Sequence, residues 1–483
     1  MLALRPWKFH DLLRVLAPLG ASACPAGSPA AEADPMLLGA CADSRQMGPG
    51  GLFCAIRGAL QDGNDFVPQA MAAGASAILS DRPGLSCPLP VISVPQGTGY
   101  AAVARVAEAF ADYPARRMRL AGVTGTAGKT TTVFLLREIL RAAQVPTGMV
   151  GTVVYDLGGG REVPADRTTP TPFLLQELFA RMVANGVTTV AMECSSAALA
   201  QERTGTARFA AAAFTNFSRD HLDFHGTMEA YREAKARLFR EFLAPGGTAL
   251  LNVDDPVGEG LAAELEASPP IPCQVLRLSL KNGPAPWQCP LPGRFNQYNA
   301  ACAGMLACAL GVPREIVRRT LARTAGAPGR LQRFLCPNGG QAFVDYAHTP
   351  EELRCALQAL RPECPGRLVA LFGCGGDRDR GKRPMMARAA GENADFLWLT
   401  SDNPRTEDPL AILEEVRRGV PAGTAFQVEP DRREAIRLAV EALCPGDWLL
   451  VAGKGHEDYQ EVNHEKRPFS DWATLRELFP PAP

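Results

Sequence analysis

The chain of 483 residues lacks the features of a membrane or secreted protein. No apolar stretch approaches the length needed to span a bilayer. The first 19 residues mix Arg5, Lys8, Asp11 and Arg14 among their apolar residues, so the uninterrupted apolar core of a signal peptide is missing. The 14 cysteines never form a C-x-x-C pair, which argues against a zinc site. We therefore expect a cytoplasmic protein with reduced thiols and no membrane insertion.

The chain also lacks an excess of either charge sign. Its 50 basic and 51 acidic residues give a formal net charge of -1, so no net field attracts nucleic acid or an anionic membrane. Any anionic ligand must then be held by local groups. With 46% hydrophobic and 21% charged residues, a chain of this length is expected to form about three globular domains.

The order of apolar runs and turns indicates three α/β segments. Residues 36–97 read as a small α/β unit, because Gly, Pro and Asp separate their short apolar runs. Strand and helix patterns then alternate as far as Leu310, which indicates a parallel sheet covered by helices. A turn at 327–330 precedes a third α/β segment with apolar runs at 368–372 and 447–452. The predicted domains comprise residues 1–97, 98–328 and 329–483.

A Gly-rich turn in the second segment predicts a phosphate-binding loop. The strand 119–123 leads into TGTAGKTTT at 124–132, and an amphipathic helix follows. Glycines let backbone N–H groups close on phosphates, and the helix N-terminus favours their charge. Lys129 would reach the outer phosphates, and Thr130 would present its hydroxyl to Mg²⁺. The strict G-x-x-x-x-G-K-[ST] pattern fails because position 123 is Val, so a plain Gly-rich turn is the alternative.

This loop resembles that of the Mur ligases and the related folylpolyglutamate synthetases. MECSS at 192–196 and FTNFSRDHLDFHG at 214–226 resemble two further motifs of the Mur ligases. The remaining matches, in chain order, are DSR at 43–45, GRFNQYN at 293–299, VDYAHTP at 344–350, FGCGGDRDRGKRP at 372–384 and GKGHEDYQ at 453–460. The resemblance covers almost the whole chain and is specific to the MurE type, since SDNPR at 401–405 is similar to the D-N-P-R signature of diaminopimelate-adding enzymes.

The resemblance implies a fold and an activity. The fold would be α/β in three domains: a UDP-binding domain, a central P-loop ATPase domain with a parallel sheet, and a C-terminal Rossmann-like domain. The activity would be ATP- and Mg²⁺-dependent ligation of meso-diaminopimelate to UDP-MurNAc-L-Ala-D-Glu through an acyl phosphate. Such a ligase serves peptidoglycan synthesis and cell wall biogenesis, and through them cell shape, cell division and the cell cycle. We expect a monomer without nucleic-acid partners.

The same resemblance assigns the catalytic and metal-binding residues. The catalytic set is Lys129, Glu193, His221 and Lys235. The metal ligands are Thr130, Glu193, His221 and Lys235, the last as a carbamate (N6-carboxylysine), a CO₂ adduct that turns a cation into an anionic ligand. Taken alone, Glu193 could be a cap, His221 a satisfied polar residue and Lys235 a solvated surface residue.

The ligand contacts that the resemblance implies are distributed over the whole chain. ATP would contact Gly125, Thr126, Ala127, Gly128, Lys129, Thr130, Thr131, Asn299, Arg330 and Asp345, with His348 close by. The UDP-linked dipeptide would contact Ala42, Ser44, Ala59, Leu60, Gln61, Thr168, Thr169, Ser195, Gln201 and Arg203. Diaminopimelate would contact Arg383, Asp402, Asn403, Pro404, Arg405, Gly453 and Glu457. In this set, the planar guanidinium of Arg405 can bind the second carboxylate with two hydrogen bonds.

Four positions depart from the family pattern, and three other functions stay open. Ala127 stands in place of Asn, Ala197 in place of His, Arg167 in place of Asn, and Gln332 in place of Glu. The nearest alternative is the same ligase with L-lysine as its substrate. Folate polyglutamylation is disfavoured by the DSR motif, and a regulatory nucleotide-binding protein would need no acceptor site.

Overall fold

The computed structural model describes residues 1–24, 34–58, 61–281 and 283–480. The chain forms two compact units: Met1–Pro284 with Ala301–Val317, and Ala285–Ala300 with Arg318–Pro483. No helix in these described ranges has the length and apolarity needed to cross a membrane. Ala59 and Leu60, two predicted substrate contacts, lie outside the described residues.

The strands are β1 Trp7–Lys8, β2 Ser22–Cys24, β3 Met36–Leu37, β4 Gly39–Cys41, β5 Gly51–Ala55, β6 Ala75–Ser80, β7 Val91–Ser93, β8 Arg119–Thr124, β9 Thr147–Val150, β10 Val154–Asp156, β11 Glu162–Pro164, β12 Thr189–Glu193, β13 Phe209–Phe214, β14 Leu243–Asn252, β15 Cys273–Leu278, β16 Gln332–Leu335, β17 Gln341–Asp345, β18 Leu368–Phe372, β19 Phe396–Leu399, β20 Ala425–Val428, β21 Trp448–Ala452, β22 Tyr459–Val462 and β23 Glu465–Pro468.

The helices are α1 Phe9–Leu16, α2 Val67–Ala72, α3 Gly99–Phe110, α4 Lys129–Ala142, α5 Pro172–Ala184, α6 Ser196–Ala200, α7 Leu222–His225, α8 Met228–Arg240, α9 Pro256–Ala267, α10 Arg294–Ala309, α11 Arg314–Leu321, α12 Pro350–Leu360, α13 Lys382–Gly391, α14 Pro409–Arg417, α15 Arg432–Glu441 and α16 Asp471–Leu478. Short 3₁₀ turns lie at Ala17–Leu19, Ser44–Gln46, Gly63–Phe66, Pro114–Arg117 and Arg361–Glu363.

Three larger sheets carry the three predicted α/β segments. The first has the order β2-β7-β6-β5-β4, with β2 antiparallel and the others parallel. The second has the order β11-β10-β9-β12-β8-β13-β14-β15, which is parallel from β9 to β15. The third has the order β16-β17-β21-β18-β19-β20, with only β16 antiparallel. The prediction of parallel α/β sheets is confirmed.

The central sheet places three motifs at one edge. Its strands β8, β12 and β13 are nearly continuous buried runs, as expected for parallel strands that are covered on both faces. Glu193 pairs in register with Val123, and Phe214 pairs with Thr124. The phosphate loop, the MECSS motif and the segment that begins at Phe214 therefore leave the sheet side by side, at the carboxyl ends where ligands bind to such sheets.

The third sheet brings together the motifs of the second unit in the same way. Asp345 pairs in register with Ala452, and Leu399 pairs with Phe372. The segments that follow β17, β18, β19 and β21 include Gly453 and the DNPR motif, and they leave the sheet at one edge. This edge is the expected location of a ligand site.

Candidate functional site

The phosphate loop has the backbone geometry that its glycines require. Gly125 has φ 146° and Gly128 has φ 86°. A Cβ at position 125 would lie 1.9 Å from Oγ1 of Thr215, so this position accepts only glycine. Nζ of Lys129 donates to the carbonyl oxygens of Gly125 and Thr126, each at 2.8 Å. The lysine thus lies over its own loop, where it can exchange these acceptors for phosphate oxygens.

The loop is anchored by residues that the sequence analysis did not single out. Asn216 accepts a hydrogen bond from the N–H of Ala127 at 2.9 Å, and Thr215 donates to the Ala127 carbonyl at 2.6 Å. These contacts involve only the backbone of Ala127, so they are independent of its side chain. The T-N pair of the motif at 214–226 was the available signal for this role.

Thr130 and Glu193 form a buried oxygen cluster beside the loop. Oγ1 of Thr130 donates to Oε2 of Glu193 at 3.0 Å, and the residues are 6% and 1% exposed. Thr152, which the sequence analysis missed, donates to both carboxylate oxygens through its N–H (2.8 Å) and its hydroxyl (3.1 Å). The two side chains are therefore in contact, and their role as metal ligands stays a prediction.

Lys235 lies under the phosphate loop. It is 1% exposed, its Nζ donates to the Gly125 carbonyl at 2.7 Å, and the same Nζ lies 4.4 Å from the ring centre of Tyr231. Burial, followed by the positive charge of Lys129, lowers the pKa of Lys235 well below its ordinary value. Lys235 is therefore not a solvated surface residue, and its amine is held toward the neutral form.

His221 is not brought into contact with Glu193. Its side chain is 54% exposed, and its Nε2 lies 3.4 Å from Oδ2 of Asp220. His225, which no prediction named, is half-buried, with Nε2 2.9 Å from Oγ of Ser196. Within the described ranges, no three His, Cys, Asp or Glu side chains are grouped so that they could hold a metal ion. The metal-ligand role of His221 stays a prediction.

A cavity of about 1220 Å³ lies in the first unit. Its walls include Ala42, Gln201 and Arg203, three of the predicted contacts to the UDP-linked dipeptide. Arg203 donates to the Thr169 carbonyl at 2.6 Å and to Oε1 of Gln201 at 3.0 and 2.8 Å, which fixes the plane of its guanidinium. Arg167, which replaces the usual Asn, lines the same cavity. With Arg181, three arginines line the cavity, so it offers three guanidinium groups to an anion.

The other predicted dipeptide contacts lie around this region or apart from it. Thr169 is buried and donates to the Glu193 carbonyl at 2.8 Å, while Thr168 lies 3.1 Å from the hydroxyl of Thr152. Ser195 caps α6. Ser44 begins a 3₁₀ turn and is half-buried, and Gln61 is exposed.

The predicted adenine and ribose contacts lie in the second unit. The guanidinium of Arg330 lies 4.9 Å from the ring centre of Tyr346. Asp345 accepts from the N–H groups of Leu331 and Ala347 at 2.7 and 2.8 Å. Asn299 is 4% exposed and donates to Asn296.

His348, predicted to lie close to the nucleotide, and Gln332, which departs from the family pattern, also belong to the second unit. Nδ1 of His348 is 3.0 Å from the Tyr346 carbonyl. The side chain of Gln332, the residue that departs from Glu, accepts a hydrogen bond from the N–H of Gly329 at 2.9 Å.

The DNPR and GKGHE segments form one polar cluster. Asn403 donates to Oε2 of Glu457 at 3.0 Å, and Lys454 donates to Asn403 at 2.9 Å and to Glu457 at 3.2 Å. A Cβ at Gly453 would lie 2.5 Å from Oδ2 of Asp402, so the two segments are in close contact. Pro404, between Asn403 and Arg405, is buried.

Arg405 is held by two acceptors but retains free donor capacity. Its Nε donates to Glu461 at 3.1 Å, and its Nη1 donates to the Gly376 carbonyl at 2.8 Å. Among the described residues, Nη2 has no acceptor, and 18% of the side chain is exposed. A carboxylate that approaches this face would meet a guanidinium of fixed orientation.

Arg383, a predicted contact to diaminopimelate, is buried and does not lie at the protein surface. Its side chain is 0% exposed, and its two terminal nitrogens donate to Glu407 and Glu415 at 2.7 to 3.0 Å. Arg383 lowers the pKa of Glu407 to about 2. In this structure Arg383 orders neighbouring acidic side chains, which the sequence pattern did not indicate.

Comparisons with known proteins identify similar families and relatives. Three family descriptions match the chain: "Mur ligase family, catalytic domain" over residues 39–124, "Mur ligase middle domain" over 123–284, and "Mur ligase, glutamate ligase domain" over 329–455. The UDP-N-acetylmuramoyl-L-alanyl-D-glutamate–2,6-diaminopimelate ligase of Gloeobacter violaceus is 44% identical over 469 residues, which are 91% of this chain and 93% of the relative.

Solved structures are similar over comparable lengths. A UDP-N-acetylmuramoyl-L-alanyl-D-glutamate–2,6-diaminopimelate ligase is 33% identical with a TM-score of 0.65, and the match covers 92% of this chain and 94% of that one. The MurF ligase of Thermotoga maritima in complex with ADP is 18% identical with a TM-score of 0.53, covers 86% and 93% of the two chains, and shows the fold alone. The chain therefore belongs to the Mur ligase family, among its MurE-type ligases.

Proposed function

We propose that this enzyme joins meso-diaminopimelate to UDP-MurNAc-L-Ala-D-Glu at the expense of ATP, as a monomer with domains at 1–97, 98–328 and 329–483. The γ-phosphoryl group of ATP is transferred to the γ-carboxylate of D-Glu, and ADP leaves. The amine of diaminopimelate then attacks the acyl phosphate, a new amide bond forms, and phosphate leaves. The observation that carries the proposal is the cluster of Lys129, Thr130, Glu193 and Lys235 around one phosphate loop.

The cluster supplies the charge pattern that phosphoryl transfer needs. Lys129 places a cation where the outer phosphates would lie, and the N-terminus of α4 adds backbone N–H groups. Both offset the repulsion between the nucleotide phosphates and an incoming carboxylate. Asn299, Arg330 and Asp345 are assigned to adenine and ribose.

The oxygen donors beside the loop fit Mg²⁺. The hydroxyls of Thr130 and Thr152 and the carboxylate of Glu193 are hard ligands of the kind that Mg²⁺ prefers. A bound Mg²⁺ would supply charge neutralisation at the phosphates. His221 is assigned to a second metal position.

The state of Lys235 supports carbamate formation. Only a neutral amine can add to CO₂, and burial together with Lys129 holds the amine of Lys235 toward that form. The adduct would carry a negative charge beside the positive charge of Lys129, and this attraction favours it.

The cavity supports a substrate that carries a diphosphate and a carboxylate. Arg203 is oriented by three hydrogen bonds to Gln201 and the Thr169 carbonyl, and one N–H on each of its two terminal nitrogens is left to donate to an anion. Ser44, Thr168 and Ser195 add hydroxyl groups. In the second unit, Arg405 would bind the distal carboxylate of diaminopimelate, while Glu457 would accept a hydrogen bond from an amine.

One assay tests the proposal. ADP formation would be measured with ATP, Mg²⁺ and the UDP-linked dipeptide, and with either meso-diaminopimelate or L-lysine added. We expect ADP to form only when both the dipeptide and diaminopimelate are present. Equal use of L-lysine would overturn the choice of amino acid, and ADP formation without either acceptor would overturn the ligase activity.

A further inference from the structure

A buried ion pair joins the last helix of the second unit to α15. Arg432 is the first residue of α15, and Asp471 is the first residue of α16. Nε of Arg432 donates to Oδ1 of Asp471 and Nη2 donates to Oδ2, each at 2.7 Å. Both side chains are 0% exposed. The carboxylate therefore fixes the plane of the guanidinium from one side.

The other donors of Arg432 reach the backbone of two separate segments. Nη2 also donates to the carbonyl of Ala452 at 2.9 Å, and Nη1 donates to the carbonyl of Ser401 at 3.3 Å. Ala452 immediately precedes Gly453, and Ser401 immediately precedes Asp402. One guanidinium thus binds the first residue of segment 401–405 and the residue that precedes segment 453–457, the two segments that carry the proposed amino-acid contacts.

These two segments depend on each other for their geometry. The buried ammonium of Lys454 bridges Asn403 and Glu457 at 2.9 and 3.2 Å. Asn403 also accepts a hydrogen bond from the N–H of Glu461 at 2.9 Å. A relative shift of about 1 Å would lengthen these bonds beyond hydrogen-bonding distance. A group that fixes the separation of the segments therefore also fixes the site.

Stability alone does not explain a buried ion pair at this place. A pair of apolar residues of similar volume is often as stable as a buried ion pair, because the charges lose their hydration. An arginine offers what an apolar residue cannot, namely five N–H donors in a rigid plane that can hold several acceptors at fixed distances. The four hydrogen bonds of Arg432 use this property.

We propose that Arg432, oriented by Asp471, is a positioning residue that holds segments 401–405 and 453–457 at the separation required to bind the amino-acid substrate. It does not touch the amino acid, since it is fully buried. The inference rests on the proposed function of these segments.

The test uses a double variant that removes both charges, Arg432→Met with Asp471→Leu. The apolar pair is expected to preserve the fold, while both backbone carbonyls lose their donors. We expect the KM for diaminopimelate to rise on the order of tenfold to a hundredfold, with the KM values for ATP and the UDP-linked dipeptide changed by less than about twofold. Asp471→Asn, which keeps one acceptor for Arg432, should give a smaller rise.

The control is an ion pair at the opposite edge of the same sheet, in which the arginine is half exposed. Arg367 precedes β18, Asp447 precedes β21, and the two side chains pair at 2.7 Å. Arg367→Met with Asp447→Asn should leave the KM for diaminopimelate unchanged. An unchanged KM in the folded Arg432/Asp471 variants, or an equal rise in the control, would overturn the proposal.

Hydrogen exchange separates this inference from the proposed function. The backbone amides of 401–405 and 453–457 should exchange faster in the double variant than in the wild type or the control, without any substrate. If the wild type forms no ADP in response to diaminopimelate, the proposed function fails, and exchange still decides the positioning role. Unchanged exchange in these segments would overturn it.

Discussion

Single residues at this site have properties that their surroundings impose. Lys235 is an ordinary lysine in sequence, yet it is buried against Tyr231 and shares the Gly125 carbonyl with Lys129. A charged ammonium is costly in such a place, so its pKa falls. The same burial that disfavours the cation favours the neutral amine as a nucleophile toward CO₂.

Replacing Lys235 tests this chemistry. We expect Lys235→Ala to lower ADP formation on the order of a hundredfold or more, because the site loses an anionic group beside the phosphates. A short carboxylic acid added in solution should restore part of the activity. Carbon-13 NMR in labelled bicarbonate should show a carbamate signal in the wild type and none in the variant. Lys281→Ala, at an exposed lysine, is the control, and full activity of Lys235→Ala without additive would refute the role.

Arg405 is the residue on which amino-acid choice most depends. Lysine lacks the distal carboxylate of diaminopimelate, so it would leave the free face of this guanidinium unpaired. An unsatisfied, mostly buried charged donor costs on the order of 1–3 kcal/mol, which is roughly a tenfold to hundredfold preference for diaminopimelate. Arg405→Ala should abolish that preference while ATP binding persists, as measured by kcat/KM for both amino acids.

The control for Arg405 is Arg417→Ala, an exposed arginine that pairs with Glu414. This variant should keep the wild-type preference. If Arg405→Ala still preferred diaminopimelate over lysine, another group would have to bind the distal carboxylate.

At the scale of elements, a buried carboxyl group connects α3 to the segment after α6. Glu108 is 2% exposed and accepts hydrogen bonds from the N–H (2.8 Å) and hydroxyl (3.0 Å) of Thr206. Burial raises its pKa from 4.5 to about 7, although Thr206 and the charges of Arg116 and Arg105 act in the opposite direction. The carboxyl group therefore keeps its proton in the folded state up to near-neutral pH.

This shift predicts a pH-dependent stability. Between about pH 4.5 and 7 the unfolded chain releases the proton of Glu108 and the folded chain retains it, so the free energy of unfolding falls as pH rises. The loss is on the order of 3 kcal/mol at the upper end of this window. Glu108→Gln, a neutral isostere, should therefore gain stability over the wild type as pH rises from 5 to 8 in urea unfolding. Glu229→Gln, at an exposed position, should show no such trend, and parallel curves for Glu108→Gln would contradict the prediction.

At the scale of the whole molecule, the phosphate loop and the large cavity are separate features of the first unit. No residue of 124–130 is among the described residues that line the cavity. Lys129→Ala should therefore lower ATP turnover on the order of a hundredfold or more while the affinity for the UDP-linked dipeptide stays near the wild-type value. ADP formation measures the turnover, and calorimetric titration measures the affinities for ATP and for the UDP-linked dipeptide. Equal loss of both affinities would show that the two sites are not independent.

Local sequence patterns determined the elements and the family of this protein. The strand at 119–123, the Gly-rich turn and the helix after it could be predicted because φ requirements and apolar periodicity are local properties. The motifs identified the family because they occur in the family's order along the chain and each contains the residue types that its role requires. The parallel α/β class followed from the alternation of these patterns.

Tertiary structure alone decided which side chains share an environment. Glu407 and Glu415, which enclose Arg383, and Asp471, which binds Arg432, lie outside every motif noted in the sequence. The exposure of His221 and the burial of Lys235 likewise depend on how α7 and α8 pack. Separate elements must pack together before residues distant in the chain come into contact. The same packing removes water from buried groups and so shifts their pKa values. Local sequence patterns therefore cannot predict these contacts or these pKa shifts.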